Sequence, residues 1–455
     1  MTGKRIDSPI RQFPSDWELT TLGEVCKRGG GHIQTGPFGS QLHASDYVSA
    51  GIPSIMPVNI GDNRVIADNL AKVRERDAER LKRHRVKHGD IIYSRRGDVE
   101  RRALVREKQQ GWLCGTGCLK IDLGAYIVDP LYASYYLGHP DIRSFISRHA
   151  IGSTMPNLNT TIMSSVPFLL PPPDEQRAIA RILGSLDDKI ELNRQMNRTL
   201  EAMTQALFKS WFVDFDPVIA KREGRRPFGM NDATASLFPE HFQQTATGLT
   251  PVGWRQGKIE DVVSLSKATI NPGGYPDEIF SHYSIPAFDS NKTPIYEPGG
   301  NIKSNKNLVP DICILISKLN PEIPRVWMMT GSCDHRRICS TEFLVTLPKE
   351  PFSTSYIYCL FSSGEFAEEF ATLVTGTSNS HQRVKPSDLL RINALLPPKQ
   401  VLAEFARPVS ILLQKAHKAA EDSSTLATLR DTLLPKLLSG EIRVRQAEKI
   451  VSGVT

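Results

Sequence analysis

Seven cysteines are scattered through 455 residues, Cys26, Cys114, Cys118, Cys313, Cys333, Cys339 and Cys359, with no Cys-x-x-Cys pair among them. The odd number and the wide spacing argue against a disulfide framework and point to a reducing compartment, the cytoplasm. Cys333, His335 and Cys339 follow one another closely, yet their spacing matches no structural zinc pattern. No apolar run approaches the roughly 20 residues that a bilayer-spanning helix needs. The first residues, MTGKRIDSPIRQFPSDW, hold no apolar stretch of signal-peptide length. A soluble protein with no membrane partner is the expectation.

Catalytic signatures are equally scarce. There is no Gly-x-x-x-x-Gly-Lys-Ser/Thr loop, so no standard phosphate cradle for a nucleotide. Asn271-Pro272-Gly273-Gly274-Tyr275 is superficially similar to the Asn-Pro-Pro-Tyr of adenine methyltransferases, but the second proline is missing and no glycine-rich cofactor loop accompanies it; a turn is expected. Pro173-Asp174 followed by Asp187-Asp188-Lys189 formally fits a metal-dependent nuclease pattern, whose carboxylates must converge from a β-hairpin. Here one would cap a helix and the others lie on its flank. Gly29-Gly30-Gly31 follows no clear strand, and no Ser/His/Asp or Cys/His set stands out. The expectation is binding without catalysis and no cofactor or metal in this chain.

What the chain does have is length, normal globular composition and a small positive balance. It is 40% hydrophobic and 23% charged, with 56 Lys and Arg against 49 Asp and Glu, a formal net charge of +7. That suits two to four domains and is compatible with a polyanionic partner without demanding one.

The longest segment with one period runs from Pro171 to Phe212. Pro171, Pro172 and Pro173 cannot continue an earlier helix, Asp174 can cap a new one and Glu175 adds negative charge to its first turn. Every seventh position gives Leu183, Ile190, Asn197, Thr204 in one row and Leu186, Asn193, Leu200, Leu207 in the other, a coiled-coil seam with polar interruptions. At 1.5 Å per residue such a helix reaches roughly 55–60 Å, the length of a spacer. Asn193 and Asn197 admit two readings: they fix the register of a helix pair, or they mark where another chain inserts.

The chain also repeats itself. Trp17-Glu18-Leu19 through Val25 is answered by Trp254-Arg255-Gln256 through Val262. Gly89-Asp90-Ile91-Ile92-Tyr93-Ser94-Arg95 is echoed by Pro310-Asp311-Ile312 through Ser317-Lys318. Gly152 to Asn157 matches Gly376 to His381, and Val166 to Pro172 matches Ile392 to Pro398. A second helix, Lys399 to about Ser439, carries the heptad row Leu412, Ala419, Leu426, Leu433 and stops at Gly440. The expected order is residues 1–170 as a first domain, 171–213 as a central helix, 214–250 as a linker, 251–396 as a second domain, 397–440 as a distal helix and 441–455 as a tail. Two like halves related by a pseudo-two-fold axis require the long helices to run antiparallel. Within the domains, Asp90–Tyr93, Leu119–Ile121, Asp311–Ile316 and Phe343–Leu347 read as strands and Ala71–Arg85, Leu131–Arg148 and Ser355–Phe370 as helices, giving an α+β class.

The domains carry cations at turns and strand ends. Arg95, Arg96, Arg101, Arg102, Arg106 and Lys108 stand against Asp98, Glu100 and Glu107, and the second half supplies Lys318, Asn320, Arg325, Gln382, Arg383 and Lys385. Arg reads guanine through two hydrogen bonds, and Lys and Arg also hold phosphates, so these are candidate DNA contacts; a solvated face is the alternative for any one of them.

These features resemble the specificity (S) subunit of Type I restriction–modification enzymes over nearly the whole chain. The similarity is carried by Thr35-Gly36-Pro37-Phe38-Gly39-Ser40, by Gly152-Ser153-Thr154-Met155-Pro156-Asn157-Leu158-Asn159 and by Leu170-Pro171-Pro172-Pro173-Asp174-Glu175-Gln176. In the second half it rests on Tyr275–Glu278, Ser284–Asp289 and Ile316–Pro321. The resemblance implies two target-recognition domains, each reading half of a split duplex DNA site, and helices that dock two methyltransferase subunits, with a restriction (motor) subunit joining through the complex. It also places S-adenosylmethionine, ATP and magnesium on those partners. Candidate DNA contacts then extend to Ser40, Ser94, Ser153, Thr154, Asn157, Ser378 and Asn379. Candidate partner contacts are the seam residues Leu183, Leu186, Ile190, Asn193, Asn197, Leu200, Leu207, Leu412, Leu426 and Leu433 with Trp211 and Phe212. The second copy shortens the proline motif to Pro397-Pro398-Lys399-Gln400 and has Leu437-Leu438 in place of Trp211-Phe212, so two non-identical docking contacts are expected. A stand-alone methyltransferase or nuclease with tandem recognition domains is the competing class.

Overall fold

The computed structural model describes residues 7–152, 155–245, 248–374 and 382–453. The chain divides into two compact units, Met1–Leu192 with Thr425–Thr455, and Asn193–Ser424.

Each unit is built on the same four-strand order. In the first it runs His32–Thr35, Cys118–Asp122, Ile91–Ser94, Arg102–Leu104, antiparallel throughout, and Asp62–Asn63 adds a fifth strand parallel to the last. In the second it runs Val263–Leu265, Phe343–Pro348, Cys313–Ser317, Val326–Met329. The middle strands Ile91–Ser94 and Cys313–Ser317 are buried at every position, which is why they read as continuous apolar runs in the sequence. A second sheet accompanies each: Tyr47–Val48, Ala71–Val73, Ile52–Ile55, Leu113–Cys114 in the first unit, and five strands from Thr269–Ile270 to Ile295–Pro298 in the second.

The repeated tryptophan motif has a structural meaning. Glu18–Thr21 pairs antiparallel with Pro167–Leu170, and Arg255–Lys258 pairs in the same way with Asn393–Leu396. In each half the first strand of the domain therefore clasps the strand that leads into a long helix.

Those helices are Pro173–Phe212 and Lys399–Leu438, here called the central and distal helices. The central helix begins one residue before the expected cap, because Pro173 fits the first helical position, where an N–H is not needed. Gln176, 1% exposed, fixes its start: its side-chain oxygen accepts the Asp129 N–H at 2.8 Å and its amide donates to the Pro171 carbonyl at 2.8 Å. In the first unit Ile179, Leu183, Leu186 and Ile190 share a core with Leu426, Leu433, Leu434 and Leu437. In the second, Phe208, Trp211 and Phe212 share one with Val401, Leu402, Phe405, Val409 and Leu413. The start of one helix thus meets the end of the other in each unit, the order of an antiparallel pair, and the α+β class with two long helices holds. Each of these side chains, buried, is worth about 1.5–3 kcal/mol of transfer free energy.

Three local expectations differ from the structure. Ala71–Arg85 is not one helix: Ala71–Val73 is a strand paired on both sides, followed by a helix over Glu75–Arg80, because the pairing outweighs helix propensity. Leu131–Arg148 is two helices, broken at Gly138 and restarted at Pro140 with the His139 side chain accepting the Asp141 N–H. Ser355–Phe370 is also two, with Ser363 capping the second by accepting the Phe366 N–H.

Residues 214–250 hold two helices, Asp216–Arg222 and Asp232–Ser236, and the strand pair Phe242–Thr245 with Gly248–Pro251. Phe215 packs edge-on and Phe238 tilted against Trp254, with ring centres 5.9 and 6.2 Å away, so this segment packs within the second unit through its aromatic side chains. Near the C-terminus, Val444–Ser452 is helical and buries Ala447 and Val451 in the first unit's core. Among the described residues no helix is long and apolar enough to cross a membrane.

Candidate nucleic-acid interface

Both units end their buried middle strand in the same way. Ser94, 1% exposed, closes Ile91–Ser94 and donates its hydroxyl to the carbonyl of Arg96 at 3.0 Å. Ser317, 2% exposed, closes Cys313–Ser317 and donates to the carbonyl of Leu319 at 3.0 Å. A serine bonding two residues on turns the chain sharply and leaves a cation at the turn: Arg95 and Arg96 in one unit, Lys318 in the other. The two serines therefore shape the tips from inside.

A returning segment then braces each tip. In the first unit Asn157 bridges both Ile151 and Arg96 through the backbone, and Gly97 donates to the Pro156 carbonyl at 3.1 Å. Gly152, at φ +106°, lets this hairpin close; a Cβ there would lie 2.8 Å from the Met155 carbonyl oxygen. In the second unit Val384 donates to the Lys318 carbonyl and Asn320 to the Gln382 carbonyl, both at 3.0 Å, and Leu319 bridges Arg383. Of the sequence repeat between Gly152–Asn157 and Gly376–His381, the second copy lies outside the described residues.

The side chains differ between the two tips. Arg95 donates Nε–H to the Leu158 carbonyl at 3.2 Å, and its guanidinium lies 5.6 Å from the centre of the Phe38 ring. Burial, and next the charge of Arg96, lower its pKa. Arg96 is exposed. The loop Gly36–Ser40 comes to the same tip through the Gly36 N–H, which bonds the Cys118 carbonyl at 2.9 Å, and it leaves Ser40 exposed. In the second unit Arg383 makes two bonds to Glu342, at 2.9 and 3.0 Å, and that carboxylate raises its pKa. Lys318, Asn320 and Gln382 are half-buried beside it.

Arg101, Arg102 and Arg325 take other places. Arg101 is exposed and pairs with Asp98 at 3.1 Å. Arg102, 6% exposed, turns into the core and donates Nε–H to the Ser134 carbonyl at 2.6 Å. Arg325, 7% exposed, is held by two bonds to Asp289 at 2.6 and 2.9 Å. Ser153, Thr154, Ser378 and Asn379 lie outside the described residues.

Of the helix seam, Leu183, Leu186, Ile190, Leu200, Trp211, Phe212, Leu426 and Leu433 are buried within the units, and Asn197, Leu207 and Leu412 are half-buried. Asn193 is buried, with its Nδ2 unpartnered among the described residues. Exposed apolar side chains on the central helix are instead Met196 and Met203 in the second unit and Leu192 in the first. Sequence reasoning missed Glu342, whose role depends on a long-range approach to Arg383 that no spacing reveals, and Phe38, which stood inside a motif of note.

Residues 14–202 match the family described as the Type I restriction modification DNA specificity domain. The Type I restriction enzyme HindI specificity subunit of Haemophilus influenzae is 26% identical over 492 residues, covering 94% of this chain and all of the relative. The Type I restriction enzyme MjaIX specificity subunit of Methanocaldococcus jannaschii is 23% identical over 465 residues, covering 97% of this chain and 96% of the relative. The crystal structure of a Type I restriction–modification S subunit from M. genitalium shares the fold with a TM-score of 0.51 at 15% identity, over 95% of this chain and 99% of that one.

Proposed function

We propose that this chain is a non-catalytic specificity subunit of a Type I restriction–modification enzyme, whose two units read the two halves of a bipartite, asymmetric duplex DNA target. One observation carries the reading. The same strand, serine turn and cation tip is built twice on one strand order, with different side chains: Arg95, Arg96 and Asn157 in the first, Lys318, Asn320, Gln382 and Arg383 in the second. Like scaffolds with unlike tips suit two half-sites of unlike sequence. Arg and Lys favour guanine edges, and Asn and Gln favour adenine. Ser94 and Ser317 shape the tips from inside.

The long helices are the docking elements for two methyltransferase subunits in this reading. The leucine seam and the Trp211–Phe212 cluster hold the helices, and Met196 and Met203 present apolar surface to a partner. S-adenosylmethionine, ATP and magnesium come with the partners, and a restriction subunit joins through the assembled complex.

The test is a comparison of the chain alone with the chain plus methyltransferase. Alone it should bind duplex DNA with an affinity that falls steeply with salt, and neither methylate nor cut. With two methyltransferase subunits it should direct adenine methylation to one split sequence. Methylation or cleavage by the pure chain would favour the stand-alone enzyme instead.

A further inference from the structure

Phe38 presents an aromatic ring to solvent, 52% exposed, at the tip that carries Arg95 and Arg96. The loop beneath it is fixed. The Phe38 carbonyl accepts the N–H groups of Gln41 and Leu42 at 2.8 and 3.2 Å, and its own N–H donates to Gln41 Oε1 at 3.1 Å. Gly36 packs so tightly that a Cβ would sit 2.1 Å from the Gly115 carbonyl oxygen. An apolar ring held outward by a rigid loop has already lost the backbone freedom that binding would otherwise have to remove. Met155, 62% exposed, stands on the returning hairpin of the same tip.

Exposure of this kind costs solubility, and the surrounding chemistry names what would cover it. Arg95 and Arg96 supply positive charge for phosphates, and Asn157 supplies an amide. Cations with a projecting apolar side chain are the combination by which proteins part a base step, the cations holding the backbone while the ring replaces the stacking it disrupts. We propose that Phe38 is a wedge that enters between two adjacent base pairs at the half-site read by the first unit. This rests on the DNA-recognition reading above and adds to it a specificity-determining residue. Because the cost of parting a step depends on its sequence, the wedge favours easily unstacked pyrimidine–purine steps without touching a base edge.

The experiment uses the full chain assembled with its methyltransferase partners and the duplex that methylation mapping identifies. 2-Aminopurine is placed in turn at each position of the first half-site and its flanks. Apart from the methylated adenine, which the methyltransferase must turn out of the stack, the native complex should brighten it at one step only. Phe38→Ala should abolish that signal and weaken binding by about ten- to a hundredfold, the scale of a lost base–aromatic stack. Phe38→Trp should keep both. Tyr126→Ala removes a still more exposed ring just beyond Asp122, at the end of the Cys118–Asp122 strand opposite the tip, and should change neither. Specific binding by the native complex with no brightening beyond the methylated adenine would overturn the wedge while leaving DNA recognition intact, as would a Phe38→Ala variant that keeps the signal. A native complex that binds no particular sequence would overturn the recognition reading and the wedge with it.

Discussion

Trp17 donates its indole N–H to the Glu175 carboxylate across 3.0 Å, whereas Trp254, its counterpart in the repeat, is buried with no partner for its indole nitrogen among the described residues. The difference follows from the sequence: the second copy shortens Pro-Pro-Pro-Asp-Glu-Gln to Pro397-Pro398-Lys399-Gln400 and carries no glutamate there. The Trp17–Glu175 bond locks the first domain's opening strand to the start of the central helix.

Removing that acceptor should be costly. Glu175→Ala leaves the 4%-exposed Trp17 donor unsatisfied, and about 1–3 kcal/mol of stability should go with it. Glu175→Gln keeps an oxygen in place and should lose much less. Urea unfolding followed by tryptophan fluorescence separates the two.

A second lock joins the first sheet to both helices. Arg430 bonds Asp187 at 2.6 Å and Asp62 at 2.9 Å, and Asp187 also accepts the Tyr135 hydroxyl at 2.5 Å. Arg430→Met should destabilise the first unit by about 3–5 kcal/mol, since it strands the Asp187 carboxylate in a site only 17% exposed. Adding Asp187→Leu should recover a good part of the loss. A double-mutant cycle by thermal unfolding measures it, and additive losses would mean that the pair does not act as a unit.

Two buried groups beside the first sheet give opposite responses to acid. Asp90, 0% exposed with Oδ1 unpartnered, is pushed up from 3.8 to about 6 by burial. Between those values the folded chain holds the proton more tightly, so this group adds stability as pH falls. His84, 3% exposed, is pushed down from 6.5 to about 4 by burial and then by the Arg83 and Lys120 charges. There the unfolded chain binds the proton first, and stability is lost as pH falls from 6.5 toward 4. The contributions of these two groups oppose each other across this window. Asp90→Asn should unmask acid destabilisation that begins near the histidine value, and His84→Gln should gain stability on the same titration. Melting temperature against pH reads both.

Much of this architecture was legible because the repeat carries its own landmarks. Tryptophan before each opening strand, proline pairs before each long helix and the isoleucine-rich middle strands are local signals, and each corresponds to one element. The tips were legible in position, through Ser94-Arg95 and Ser317-Lys318, but not in detail. Neighbouring residues on a strand face opposite ways, so of Arg101 and Arg102 one had to turn inward, and only the Ser134 carbonyl in the fold decides which. Arg325 is the same case, its partner Asp289 lying far away in sequence. On the distal helix the heptad row named Leu412, half-buried, while Leu413 beside it reaches the core, a one-residue drift of the kind a straight helix shows against a strict seven-residue repeat.

The claim at the centre is that the two units read separate half-sites through their two tips. Methylated adenines should be mapped in cells carrying this chain with its partner subunits, and again with Arg95→Ala and with Lys318→Ala. The account predicts one split sequence for the native chain, relaxed in one half only by Arg95→Ala and in the other half only by Lys318→Ala, at about 1–3 kcal/mol of lost discrimination each. A single uninterrupted sequence, or both variants relaxing the same half, would contradict it.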